Sequence, residues 1–88
     1  MMRILSEPID TIVKFKSKEK PIPYKFRYAD KKEVYHEIKI DKILMIEETK
    51  VAGIKAFVYL CQSEVDGTAK LYELKYLISD CRWELYKM

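Results

Sequence analysis

Val34-Tyr35-His36-Glu37-Ile38-Lys39-Ile40 alternates in polarity, and its apolar members share one parity with His36. The same period returns in Ile54-Lys55-Ala56-Phe57-Val58-Tyr59-Leu60, where the aliphatic side chains take the even positions. Successive side chains of a β-strand point to opposite faces of the sheet, so this alternation predicts strands. Gly53 and Gly67 stand at the breaks between such runs, where hairpin turns are expected. The sequence therefore predicts a small antiparallel β protein.

Chain length and composition limit the class of protein. Eighty-eight residues make one domain, 1–88, with a modest core. With 49% hydrophobic and 35% charged residues, the composition is that of a folded chain rather than a disordered one. No apolar run approaches the roughly 20 residues of a membrane-spanning helix, and residues 1–8 lack the apolar core of a signal peptide. We expect a cytoplasmic protein with no membrane association.

Strand boundaries follow from the alternation and from turn residues. Strands are predicted at 9–16, 24–29, 34–40, 54–62, 69–76 and 82–87, with connections at 47–53 and 63–68. The run 43–46 is apolar on both parities, so it is either a strand covered on both faces or one that bends between two sides of a barrel. Residues 69–79 also fit a helical stripe, but the preceding hairpin dipeptide Asp66-Gly67 favours a strand.

These elements predict an all-β fold, a small antiparallel meander of about five or six strands that forms a partly open barrel. One parity of each strand should fill its core. The expected core residues are Val13, Phe15, Phe26, Ile38, Ile40, Val58, Leu60, Leu74, Trp83 and Leu85. Tyr24 and Tyr28 share the parity of Phe26 and are expected in the core as well. His36, on an apolar parity, is expected to be a hydrogen-bonded core residue rather than a catalytic group.

Several short motifs occur in a fixed order along the chain. They are Glu7-Pro8-Ile9, Pro23-Tyr24-Lys25-Phe26, the aliphatic strand 34–40, Tyr72-Glu73-Leu74 and Trp83-Glu84-Leu85. In this order the chain resembles, over nearly its whole length, a group of small bacterial domains of uncharacterised function. It departs from that group in having a single tryptophan. The resemblance implies a small β-barrel and implies no particular chemistry.

Catalytic and metal-binding patterns are missing from the sequence. Acid–base and nucleophilic catalysis usually draw on His or on a nucleophile with a positioned base, and His36 is the single histidine. Two isolated cysteines, Cys61 and Cys81, cannot form a zinc site. We expect both to be buried, reduced thiols, with a disulfide between them as the alternative. We therefore expect no enzyme activity, no metal and no cofactor.

Basic residues concentrate in the N-terminal third of the chain. Eight Lys and Arg lie between residues 14 and 32 against two acidic residues, although the whole chain carries a net charge of only +3. If the first two strands pair, Lys14, Lys16, Lys25 and Arg27 share one outward face. Such a face neutralises phosphates, so it is a candidate site for single-stranded nucleic acid. The alternative is that these side chains are the solvated faces of edge strands and guard against aggregation.

Stacking aromatic side chains would have to complete that site, and Tyr35, Phe57 and Tyr59 are the candidates. Phe57, Tyr59 and Cys61 also support a second hypothesis, because with the run 43–46 they could form a self-complementary apolar patch. The alternative is that a closed barrel covers them. The sequence thus predicts a non-catalytic binding module with single-stranded nucleic acid as its leading ligand, and a homodimer or a protein partner as the alternative.

Overall fold

Seven antiparallel strands form the fold. A computed structural model describes residues 2–88, and that part of the chain contains no helix. The strands are β1 (Ile4–Lys14), β2 (Ile22–Ala29), β3 (Tyr35–Lys39), β4 (Lys42–Val51), β5 (Ile54–Val65), β6 (Thr68–Leu77) and β7 (Arg82–Lys87). Their order in the sheet is β3-β2-β1-β7-β6-β5-β4. The all-β class and the curled antiparallel sheet are confirmed, and β4 is a strand of its own where the sequence left the run 43–46 open.

β1 belongs to both halves of the curled sheet. Its residues 4–9 pair with β7, and its residues 10–14 pair with β2. The short layer β1-β2-β3 therefore curls over the layer β4–β7, and the side chains between the two layers form the core. The molecule measures 35 × 24 × 23 Å.

A two-residue corner, Ile40-Asp41, joins β3 to β4 although these strands lie at opposite edges of the sheet. The Ile40 amide donates to the Tyr24 carbonyl (2.8 Å), and the Asp41 amide donates to the Gln62 carbonyl (3.1 Å). A carboxylate oxygen of Asp41 accepts the Glu64 amide at 2.8 Å. These bonds bring the two sheet edges together at one end, so the fold is a half-barrel.

Aromatic side chains dominate the space between the layers. The buried cluster consists of Phe26, Ile38, Tyr59, Cys61, Tyr72, Leu74, Tyr76, Trp83 and Leu85. The Phe26 ring, from the short layer, lies 5.4 Å from the Tyr72 ring of the other layer, centroid to centroid. Of the predicted core residues, five belong to this cluster, while Val13 and Ile40 are half-buried and pack against it.

The face of β5 that is buried in the core is the opposite of the one predicted. Tyr59 and Cys61 are 0% exposed, whereas Val58 and Leu60 are half-buried on the outer surface. The prediction that Val58 and Leu60 are core residues is therefore wrong. Both parities of β5 are apolar, and the side that carries the Tyr59 ring and Cys61 faces the space between the layers.

Phe15 is also misplaced by the prediction. It follows the end of β1 and is 66% exposed, because the chain leaves the sheet at Lys14 and enters a loop. His36 is exposed as well, since its ring pairs with Asp30 at the surface (Nε2 to Oδ2, 2.8 Å) instead of entering the core.

One observed turn agrees with the prediction from sequence, and another does not. Asp66-Gly67 forms the β5–β6 hairpin with positive φ at both residues (52° and 78°), and β6 is a strand rather than a helix. The expected connection at 47–53 is wrong, because β4 continues to Val51 and the turn is only Ala52-Gly53. The β4–β5 hairpin is thus longer than predicted.

Candidate nucleic-acid interface

The outward side of the short layer is the surface on which the predicted basic residues lie. Phe26 pairs with Ile38, and both are buried, so the neighbouring pairs Arg27–Glu37 and Lys25–Lys39 project to the opposite side. We call this surface the outer face. Its side chains are Asp10, Ile12 and Lys14 of β1, Lys25 and Arg27 of β2, and Tyr35, Glu37 and Lys39 of β3.

Ion pairs balance two of the four predicted cations. The Lys25 Nζ lies 3.0 Å from a Glu37 carboxylate oxygen, and the Arg27 Nε lies 2.8 Å from a carboxylate oxygen of Asp10. The hydrogen bond and the charge of Asp10 raise the pKa of Arg27. All four side chains are well exposed to solvent, which screens such pairs, so they add little to stability.

The other two predicted cations separate. Lys14 is at the end of β1 on the outer face, whereas Lys16 lies beyond the strand, in the loop that leads to β2. Neither forms an ion pair within the part of the chain that the structure describes. The outer face gains Lys39 instead, which sequence reasoning missed. The alternation in the sequence could have located Lys39, because it shares its side of β3 with Tyr35 and Glu37, opposite to the apolar Ile38.

Two exposed tyrosines lie in this layer. The Arg27 guanidinium carbon sits 4.6 Å from the ring centroid of Tyr35, a cation–π arrangement, and Tyr35 remains 61% exposed. Tyr24 is the extra residue of a β-bulge opposite Ile12 and Val13, and it is exposed rather than part of the core as predicted. Of the three aromatic residues considered as stacking partners, Tyr35 is the one on the outer face.

Two shallow grooves flank the Arg27–Asp10 pair. One of about 340 Å³ is lined by Asp10, Ile12, Lys25, Arg27 and Glu37, together with Thr11 and Phe26. The second, of about 150 Å³, runs from Pro8 and Ile9 past the same ion pair to Tyr28, Ala29 and Tyr35. Arg27 therefore stands between two depressions, with a carboxylate on one side and an aromatic ring on the other.

The structure buries most of the predicted apolar patch on β5. The loop after β1 covers it: Tyr59 donates its hydroxyl proton to the Pro21 carbonyl, and the Lys20 Nζ lies 5.5 Å above the Phe57 ring. Tyr59 and Cys61 are completely buried, and Phe57 is half-buried. The burial of Tyr59 and Cys61 agrees with the alternative in which the fold covers these residues, whereas Leu44 and Met45 of the run 43–46 are exposed.

Both cysteines are free thiols, and they differ in burial. Cys61 is buried, which raises the pKa of its thiol to about 12, and its Sγ lies 3.6 Å from the Tyr59 carbonyl oxygen. Cys81 is exposed, so the prediction of a second buried thiol is wrong. Its Sγ lies 3.7 Å from the Ile78 carbonyl oxygen. His36 therefore bonds a carboxylate, and each thiol bonds a main-chain carbonyl.

Within residues 2–88, no three His, Cys, Asp or Glu side chains gather as they would around a metal ion. The same residues contain no helix with the length and apolarity needed to cross a bilayer. No family model, curated protein or solved structure matches the chain. The resemblance to small bacterial domains of uncharacterised function therefore stays a prediction, and the outer face has to be interpreted from its own chemistry.

Proposed function

We propose that the protein is a non-catalytic module that binds single-stranded nucleic acid on the outer face of β1-β2-β3. The observation that carries the proposal is the position of Tyr35, which is exposed beneath Arg27 on the same side of the layer as Lys14, Lys25 and Lys39. A base can stack on an exposed ring while neighbouring cations bind the backbone phosphates, and neither contact requires a particular base. The cytoplasmic location expected from the sequence suits this ligand.

The two carboxylates of the outer face limit the affinity. Four cations against Asp10 and Glu37 leave a modest excess of positive charge. A phosphate that takes the Nε donor of Arg27 has to displace Asp10 from its 2.8 Å contact. Single strands lose affinity with salt at a log–log slope of about −0.7 for each phosphate neutralised, so we expect a slope of about −1 to −3.

Fluorescence anisotropy of a labelled single-stranded oligonucleotide, repeated across a salt series, tests the proposal. Tyr35→Ser should weaken binding by about tenfold through lost stacking. Asp10→Asn should tighten binding and steepen the salt slope, because it frees Arg27 for phosphate. Glu48→Gln, at an exposed position on distant β4, makes the same charge change as Asp10→Asn and is the matched control; it should leave the affinity unchanged apart from its small effect on net charge.

The Asp10→Asn variant distinguishes binding at the outer face from general attraction by the net charge of the protein. If Asp10→Asn tightens binding no more than Glu48→Gln does, the outer face is not the binding surface. Absence of binding by both the natural chain and Asp10→Asn at low salt, about 20 mM, overturns the proposal, since phosphate contacts are strongest there. Thermal unfolding of each variant checks that the fold is retained.

A further inference from the structure

β4 is a long edge strand with an open side. It pairs with β5 from Lys42 to Val51, and no strand within residues 2–88 pairs with its other side. Leu44, Met45 and Val51 are large apolar side chains exposed on it, with Met45 57% exposed. Natural edge strands are usually short, charged or interrupted by proline, because an open backbone ladder recruits other strands. β3, at the other edge, is half as long and carries charged residues on its outward side.

The first six residues of β4 are complementary to themselves when the strand runs antiparallel to a second copy. Lys42-Ile43-Leu44-Met45-Ile46-Glu47 then places Lys42 opposite Glu47, Ile43 opposite Ile46, and Leu44 opposite Met45. The two-fold axis falls between Leu44 and Met45. Every charge meets its opposite and every apolar residue meets another, which is the pattern that stabilises antiparallel strand pairs.

The β-bulge at Leu44 makes this register geometrically consistent. Residues opposite each other in an antiparallel pair project to the same face, so Ile43 and Ile46 must point the same way. On a regular strand, residues three positions apart point to opposite faces. Leu44 is the extra residue between the pairs Ile43–Cys61 and Met45–Leu60, and both isoleucines accordingly pack toward the core.

Two other features fix the extent and register of the pairing. Beyond the six residues, the next pair would set Asp41 against Glu48, and like charges oppose further pairing. A register centred on Ile46 would set Lys42 against Lys50, and it would also place Leu44 opposite Glu48. The register centred between Leu44 and Met45 avoids both faults.

We propose that two copies of this chain associate through β4, in the register that pairs Lys42 with Glu47, to form one continuous antiparallel sheet across a two-fold axis. The interface is isologous, so each Lys42–Glu47 pair occurs twice. It uses the opposite edge of the sheet from β3 and is independent of the nucleic-acid proposal. A dimer built on apolar contacts and backbone hydrogen bonds should persist in high salt, unlike phosphate binding.

Sedimentation equilibrium of the full chain over a range of concentrations tests the interface by charge reversal. Glu47→Lys places a lysine opposite Lys42 at each end of the paired segment and should raise the dissociation constant of the dimer at least about tenfold. The double variant Lys42→Glu/Glu47→Lys restores opposite charges and should return it to near the natural value. Glu19→Lys makes the same charge change in the β1–β2 loop and serves as the control.

Recovery in the double variant is the deciding result, because a merely destabilised fold would not be rescued by a second charge reversal. A natural chain that stays monomeric up to about 1 mM, a weak-binding limit, overturns the proposal. So does a double variant as weak as Glu47→Lys. Met45→Lys changes an already exposed side chain next to the axis, so it tests the interface without altering the core, and it should leave a folded monomer.

Discussion

At the residue scale, one buried polar group ties the two layers together. Ser63 is a buried polar residue of the core, and its hydroxyl donates to the Lys39 carbonyl of β3 at 2.7 Å. The same hydroxyl lies 2.6 Å from the Tyr72 hydroxyl of β6. A buried hydroxyl that loses its partner costs more than an ordinary hydrogen bond contributes, because the group left behind remains out of water. Ser63 is therefore a structural residue despite its size.

We expect Ser63→Ala to lower the free energy of unfolding by about 1–3 kcal/mol, since both the Lys39 carbonyl and the Tyr72 hydroxyl lose a partner. Urea denaturation followed by the fluorescence of Trp83, the single tryptophan, gives the measurement. Ser17→Ala, at an exposed position in the β1–β2 loop, is the control. Equal midpoints for the two variants would show that the hydroxyl network adds nothing.

Single residues were the least predictable part of the molecule from sequence. Alternation located the buried side of β2, β6 and β7 correctly at Phe26, Leu74 and Leu85, where one parity is clearly more apolar. In β5 both parities are apolar, so the period could not show that Tyr59 rather than Val58 faces inward. Tyr24 was misplaced because a β-bulge adds one residue and shifts the period, which no local pattern announces.

At the element scale, the β2–β3 turn is organised by one carboxylate. Asp30 accepts the amides of Lys32 (2.8 Å) and Val34 (3.1 Å) through Oδ1, and it bonds His36 through Oδ2. The His36 bond, followed by the Val34 amide, lowers the pKa of Asp30. The ionised form is therefore favoured in the folded chain. Its stabilising effect is present above the ordinary carboxyl pKa of 3.8 and is lost as the pH falls through the lowered value.

Comparison of the natural chain with Asp30→Asn across pH should show that linkage. The natural chain should be the more stable near pH 7, and the difference should shrink progressively as the pH falls below the ordinary carboxyl pKa of 3.8, because Asp30 is then protonated first in the unfolded chain. Urea midpoints at several pH values provide the comparison, with Asp80→Asn as a control of equal charge change. A difference that stays constant down to about pH 2 would contradict a lowered pKa for Asp30.

Elements with a clear turn signal were predicted well, and those without one were not. Asp66-Gly67 located the β5–β6 hairpin, and 82–87 was predicted with the bounds that β7 has. The end of β4 was placed too early, because Glu47 and Glu48 look like a polar connection when the pairing with Val58 and Phe57 is unknown. The outer face was predicted in part: Lys14, Lys25 and Arg27 do share a surface, but the carboxylate partners of Lys25 and Arg27 are set by cross-strand register, which the sequence does not show.

At the scale of the whole molecule, the two thiols report on different parts of the fold. Cys81 is exposed, whereas Cys61 lies in the core and burial raises the pKa of its thiol to about 12. The thiolate is the reactive form, so burial protects Cys61 through both access and ionisation. We expect a thiol reagent such as Ellman's reagent to titrate one cysteine rapidly in the native protein and two in urea.

Cys81→Ser should then show no rapid reaction, and the slow reaction of Cys61 should follow the opening of the core. Rapid reaction of both cysteines in the native chain would mean that the two layers separate readily, contrary to the packing of Cys61 among Tyr59 and Tyr72.

The sharing of β1 between two layers also affects how the chain folds while it is being synthesised. Residues 10–14 of β1 can pair with β2 early, but residues 4–9 pair with β7, which leaves the ribosome only after five other strands. The strands β4–β7 are joined by short turns, and such local pairs form quickly. The N-terminal part of β1 meanwhile has an open edge and exposes Leu5 and Ile9. A nascent chain is therefore most prone to aggregate, and most in need of a chaperone, just before β7 emerges.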